Sequence, residues 1–328
     1  MDVHHKSAAL SDFAILLVAY RRTENVQKIV STCLDYGFKN LFIHLDGPGS
    51  SDPEILEDQK KIHTYLQTLR QNETLNVQVL KSNKNKGIAV SVISACNWAF
   101  GSGSQSFLIV LEDDCLPTHE FFAFCQEFAH FLLQPRNLIL CGTNPSPQLI
   151  ASGQPALSHY SLTWGWMTSR VNWPTILNFY RINPTQSVLA DLLSTHRVDS
   201  FWNAGYRRAI QGFTDVWDTV LVRSLRNENL FAILPPWTLV SNVGDDKFAT
   251  HTRIGSPWTL SSANSKSVPM LEPIINNSVD LWLEQNLFKI RLRHLLSTKY
   301  TLLIDSLNPR RKKFRDSLPK RLRHEERN

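Results

Sequence analysis

The sequence contains no apolar run near the roughly eighteen residues that a bilayer-spanning helix requires. Its longest clean stretch, Phe13 to Tyr20, fits a buried strand. The start, Met1 to Asp12, lacks the cationic end, apolar segment and small-residue cleavage site of a secretory signal. Cysteine is scarce. Cys33, Cys96, Cys115, Cys125 and Cys141 are odd in number, show no C-x-x-C spacing and lie mostly among apolar residues. Reduced core thiols are therefore expected rather than a disulfide frame or a zinc site, which points to a cytoplasmic chain. No internal repeat is present, so a solenoid is not expected.

What is present is an ordinary globular composition, 42% hydrophobic and 20% charged over 328 residues, enough for one large α/β domain or two modest ones. The net charge of +6 is a property of the tail. From Lys289 onward 13 Lys/Arg face 4 Asp/Glu, a local +9 that leaves −3 elsewhere. Such a tail suits an anionic membrane surface, so the cytoplasmic placement includes the inner face of a membrane. Nucleic acid is not expected as a partner, because the tail lacks interleaved aromatics and no nucleic-acid module occurs elsewhere.

Residues 1–141 alternate strand and helix patterns, which predicts a mainly parallel sheet with crossover helices. Strands are expected at 13–19, 41–45, 75–80, 107–111 and 138–141. Thr23 is placed to cap a helix carrying Val26, Ile29, Val30 and Cys33 on one face. Helices are also expected over 53–70, from Ile88 to Ala99, and after Thr118 with Phe121, Cys125, Phe128 and Leu132 inward. Residues 142–270 are rich in Trp, Pro, Ser and Asn, the texture of long functional loops in an acceptor-side region. The remainder, 271–328, reads as an amphipathic helix over 279–296 followed by the basic tail.

An open parallel sheet binds ligands at the carboxyl ends of its strands. Three such ends here are polar: Tyr20-Arg21-Arg22, Asp46, and Glu112-Asp113-Asp114. Three adjacent acids at a buried strand end repel one another unless a cation neutralises them, and a divalent ion shared with a diphosphate would do so. Lys84, Lys86 and the helix start after Gly87 offer positive potential and backbone N–H groups to phosphates.

Leu111-Glu112-Asp113-Asp114 followed by Phe121-Phe122-x-Phe124 resembles the metal-binding segment of GT-A fold nucleotide-sugar glycosyltransferases. It is most similar to the N-acetylglucosaminyltransferase I type and to bacterial surface-polysaccharide enzymes, over residues 13–130. The resemblance implies a Rossmann-like GT-A fold, a UDP-sugar donor and Mn²⁺ or Mg²⁺. By resemblance, Ala19, Tyr20 and Arg22 would meet the nucleotide, with Arg22 as the ionic contact. Asp46 would bond the uracil, and Lys86, Gly87 and Ser91 would form the helix start over it. Glu112 and Asp113 would face ribose and sugar hydroxyls, and Asp114 would ligate the metal. Trp217-Asp218 is similar to the W-D-D segment that carries the family's base. Thr219 stands where the second acid would be, so the role falls to Asp218 or Asp215. Asn242-x-Gly244 through Thr250-His251 resembles a segment of bacterial relatives, and His251 would be a late metal or diphosphate contact.

The implied activity is transfer of a sugar from a nucleotide-sugar to a glycan or lipid-linked glycan, with inversion if a base acts. Trp164-Gly165-Trp166 and Trp173 offer aromatic faces either for sugar stacking or for packing beneath the site. Two other readings remain. A sugar-nucleotide nucleotidyltransferase would normally open with a Gly-rich loop after the first strand, and Tyr20-Arg21-Arg22-Thr23 has no glycine. A non-catalytic, membrane-associated nucleotide-sugar-binding protein would use the same fold.

Overall fold

The computed structural model describes residues 7–181, 197–244 and 263–290, and the helical positions 296, 299–300 and 303–304. The chain runs β1 (Phe13–Ala19), α1 (Thr23–Tyr36), β2 (Asn40–Leu45), α2 (Pro53–Arg70), β3 (Asn76–Lys81), α3 (Ile88–Ser102) and β4 (Phe107–Glu112). It continues through β5 (Cys115–Pro117), α4 (His119–Phe128), β6 (Asn137–Cys141), α5 (Pro147–Ser152), β7 (Ala156–Ser158), β8 (Trp166–Ser169) and α6 (Trp173–Arg181). Then follow α7 (Arg197–Ile210), α8 (Asp218–Asn227), β9 (Phe231–Leu234), β10 (Val240–Asn242), β11 (Ile274–Ile275) and α9 (Asn277–Trp282).

The fold is α/β and Rossmann-like. One nine-stranded sheet has the order β11-β7-β9-β6-β8-β4-β1-β2-β3, and β5 and β10 form a separate antiparallel ribbon. The pairs β4-β1, β1-β2, β2-β3, β6-β9 and β7-β11 are parallel. β8 runs antiparallel between β4 and β6, and β7 antiparallel to β9. The sheet thus takes strands from both sides of residue 141.

All seven residues of β1 are buried, because helices cover both faces of the sheet. Ala14, Leu16 and Val18 pack towards α3, α6, α7 and α8, whereas Ile15 and Leu17 share a cluster with α1, α2 and α4. The five cysteines are free and buried, as their apolar surroundings predict. β1 has β2 on one side and β4 on the other, so the order of strands reverses there. Val18 pairs with Glu112 and Ala19 with Leu45, which sets the three polar strand ends side by side.

Two local expectations are corrected. Thr23 does not cap α1; it is the first helical residue, and Arg22 occupies the cap position. The amphipathic stretch over 279–296 is not one α-helix. Six residues of α9 pass into a π-helical turn at Leu283–Leu287, and Lys289 then adopts a left-handed φ of 49°. Val279, Leu283 and Leu287 are nevertheless buried as the apolar stripe requires, with Trp282 and Ile290 packed beside them.

His44 in β2 is wholly buried, with Nδ1 3.2 Å from the Leu80 carbonyl of β3. Burial first, and the nearby Lys86 charge second, push its pKa down to about 4. In the unfolded chain it titrates near its ordinary value of about 6.5. The folded state therefore binds fewer protons between these values, and the stability it confers is whole above pH 6.5 and lost as pH falls towards 4. The full loss is on the order of 3 kcal/mol. Urea unfolding of wild type and His44→Gln from pH 7 to 4 should show wild type losing ground steadily to the variant; parallel curves would refute the assignment.

Candidate functional site

A cleft of about 330 Å³ lies over the carboxyl ends of β1, β2 and β4, in the size range of small-ligand sites. Its walls include Ala19, Tyr20, Arg22, Asp46, Gly87, Ser91, Glu112, Asp113, Asp114, Asp215 and Asp218. Eleven residues picked from five sequence segments thus converge. Of the other two, Lys86 borders the cleft only through its neighbours, and His251 lies outside the described residues.

The acid triplet is not uniform. Asp113 is buried, and its Oδ2 accepts the backbone N–H groups of Tyr20, Arg21 and Arg22 at 2.8, 3.1 and 3.3 Å. Its Oδ1 accepts from Arg22 Nη1 at 2.8 Å. It is the clamp that shapes the β1–α1 turn, a task the sequence reading did not give it. Arg22 is correspondingly an internal counter-ion before it can be a phosphate contact; its Nη1 also lies 3.8 Å from Asp114 Oδ2. Part of the cation that the triplet requires is supplied by the chain itself.

Asp114 and Glu112 are less well served. The Asp114 pKa is raised by burial and then by Asp113, with Arg22 opposing. Glu112 is raised well above the ordinary carboxyl range by burial, then by Asp114, Asp113 and Asp218, against a hydrogen bond from Trp217. Both charged forms are disfavoured in the protein as it stands. Among the described residues no group of three or more His, Cys, Asp or Glu side chains is arranged to hold a metal. The oxygens at Asp114 nonetheless suit a hard cation. Asp114 Oδ2 lies so close to Gly244 that a Cβ there would be 2.4 Å away, and Asn242 Oδ1 borders the same glycine. One carboxylate and one amide oxygen fit Mg²⁺ or Mn²⁺, which usually take few protein ligands and complete their shell with phosphates and water.

Asp46 is buried, accepting from Gly47 N at 2.9 Å and from Lys86 N at 3.1 Å. Burial raises its pKa, opposed by those two N–H groups. Ser91, in the first turn of α3, is buried in the cleft wall, and its hydroxyl helps to stabilise the Asp46 carboxylate.

The start of α3 corrects another expectation. Its N–H groups are not open to phosphates: Asp215 Oδ2 accepts from Ile88 N at 2.9 Å and Oδ1 from Ala89 N at 3.0 Å. A carboxylate 127 residues away is the cap that Gly87 cannot provide. Gly87 has φ +80°, and a Cβ on it would meet Asp215 Oδ2 at 2.3 Å. Gly87→Ala should therefore cost roughly 1–3 kcal/mol in chemical denaturation, part of it recovered when Asp215→Ala is added. Wild-type stability in the single variant would contradict this contact.

Asp218 opens α8, is exposed to the cleft and accepts from Thr219 N at 2.7 Å through Oδ1. Trp164 and Thr163 form part of the facing wall. Trp166 is buried with its ring centroid 5.1 Å from that of Trp217, and Trp173 packs on Phe100. Of the three tryptophans around Gly165, only Trp164 is placed for a ligand. Asn85, Thr163 and Asn242 also line the cleft. The sequence reading gave no role to Asn85 or Thr163, and their polar but unpatterned positions carried no signal.

No protein-family model matches the sequence, and no curated protein matches it. Solved structures do resemble it. One is a cytidylyltransferase from Leptospira borgpetersenii serovar Hardjo-bovis (strain JB197), with 14% identity and a TM-score of 0.31. The match covers 50% of this chain and 63% of that one, so this chain spans less than two thirds of that structure's length. Likeness of that degree says nothing of chemistry. Among the described residues no helix is long and apolar enough to cross a membrane.

Proposed function

We propose that the chain is a metal-dependent GT-A type glycosyltransferase that moves a sugar from a nucleotide-sugar, a UDP-sugar in the first instance, to a glycan or lipid-linked glycan. The observation that carries the reading is the occurrence of Asp114 and Asp218 in one cleft at the strand-order reversal, with Asp46 and Ser91 in the same cleft. Such a crevice is where open α/β sheets take nucleotides.

In this reading Asp46 and Ser91 hold the base, and Tyr20 lies along the nucleoside. Glu112 meets sugar hydroxyls. Asp113 acts indirectly, by fixing the Tyr20–Arg22 backbone and the Arg22 guanidinium that borders the phosphates. Asp114, with Asn242 beside it, would hold Mn²⁺ or Mg²⁺, which when bound neutralises charge building on the leaving diphosphate. Asp218 takes the proton of the acceptor hydroxyl as that oxygen attacks the anomeric carbon, which gives inversion. Trp164 offers an apolar face to the acceptor or donor sugar. Asp215 is a positioning residue, because both its oxygens serve α3.

The decisive assay incubates the full chain with UDP-, GDP- and dTDP-sugars, with and without Mn²⁺, and measures release of nucleoside diphosphate. Manganese-dependent hydrolysis of one donor is the expected result. A nucleotidyltransferase would instead make pyrophosphate from a nucleoside triphosphate and a sugar 1-phosphate. A binding protein would take up donor and release nothing.

A further inference from the structure

One end of the nine-stranded sheet is the strand β3. It pairs with β2 and, among the described residues, with no strand on its other side. Asn76 N bonds to the Lys39 carbonyl and Ser82 N to that of Leu45, so the even-numbered residues of β3 turn their backbone groups towards β2. The N–H and C=O groups of Val77, Val79 and Lys81 therefore point away from the sheet. The ladder from Asn40–Asn76 to Leu45–Lys81 runs without a bulge, and no proline interrupts the strand, so two common guards of a sheet edge are missing. Leu75 and Val79, with Tyr65 and Leu69 of α2, pack on the core yet are only half-buried. Glu73 and Lys81 are exposed, one near each end of the strand.

This segment is self-complementary about Val77. Laid antiparallel against itself with Val77 opposite Val77, it sets Leu75 against Val79 and Glu73 against Lys81, each pair occurring twice. Apolar and opposite-charge pairs across strands are the kinds that stabilise a sheet. We propose that β3 is the contact through which two copies of this chain form a two-fold dimer, their sheets joined edge to edge in that register. Val77 of each copy would exchange both backbone bonds with Val77 of the other, and each Val79 N–H would meet the Leu75 carbonyl of the second copy. Charge complementarity selects this occupant and this register. Moving the pairing by two residues either way sets Lys81 against Leu75 or Gln71 instead. A two-fold strand pair closes on itself, so the contact makes a dimer and no fibre. The proposal stands apart from the nucleotide-sugar reading and needs no activity to test it.

The test is sedimentation velocity of the full chain over a range of micromolar concentrations. Wild type should pass from monomer to dimer as concentration rises. Lys81→Glu places like charges opposite each other twice and should weaken that dimer roughly tenfold or more. Glu73→Lys should do the same. An equimolar mixture of the two variants should dimerise again, because the two acids of one copy then face the two lysines of the other. Far-UV circular dichroism of both variants should match wild type, since the replaced side chains are exposed. A wild type that stays monomeric, leaving the edge to a strand of some other protein, would overturn the proposal. So would a dimer that either single variant leaves undiminished, or a mixture no more associated than its components.

Discussion

Asp114→Asn should abolish manganese-dependent turnover of the donor while leaving the protein as stable as wild type, or more so. The expected fall in kcat is about a thousandfold or more, because charge stabilisation of a leaving diphosphate is worth several kcal/mol. The stability half follows from the site's electrostatics. Burial and Asp113 both act against the Asp114 carboxylate, and Arg22, 3.8 Å away, only partly offsets them. An amide of the same shape removes that repulsion and keeps an oxygen beside Gly244. Function and stability should then move in opposite directions, which a general folding defect would not produce. Differential scanning fluorimetry supplies the control. Mn²⁺ with UDP should raise the wild-type melting temperature and leave that of the variant unmoved. A variant that still turns over donor with manganese dependence would remove Asp114 from the metal and, with it, the central support for the proposed chemistry.

The acid triplet was legible because its signal is local: five apolar residues, three acids, and a helix start a few positions later. The strands and helices of the first half were legible for the same reason, since periodicity of 2 or 3.6 needs only neighbours. What could not be read is pairing across the chain. Asp215 looks like any loop acid beside Asp218, and only folding sets it on α3, 127 residues away. Arg22 reads as a phosphate contact until Asp113 is found 2.8 Å from it, separated by 91 residues. The three acids are thus neutralised partly from within: Asp113 is paired with Arg22, while Asp114 is left under-neutralised. The break of the last helix at Lys289 was also hidden, because a lysine with φ 49° is a tertiary outcome that no propensity favours.

Asp218→Asn separates chemistry from binding. The asparagine side-chain oxygen can still accept from Thr219 N–H, so the start of α8 is preserved, but the amide cannot take a proton from an acceptor hydroxyl. Transfer should fall about 10²–10⁴-fold, the usual worth of a general base. UDP affinity should be unchanged, since Asp46, Ser91 and Asp114 are untouched. Asp215→Asn is the necessary companion, as the two acids stand three residues apart on one wall. Its amide nitrogen cannot accept, so one of the Ile88 and Ala89 N–H groups loses its bond, at a cost of about 1 kcal/mol in stability. Transfer per folded molecule should survive. The pair of variants therefore predicts a crossed pattern: Asp218→Asn inactive and stable, Asp215→Asn active and less stable. The reverse pattern would exchange the two roles. Full activity in both would mean that no base acts from this wall, and analysis of the product's anomeric configuration would then be expected to find retention.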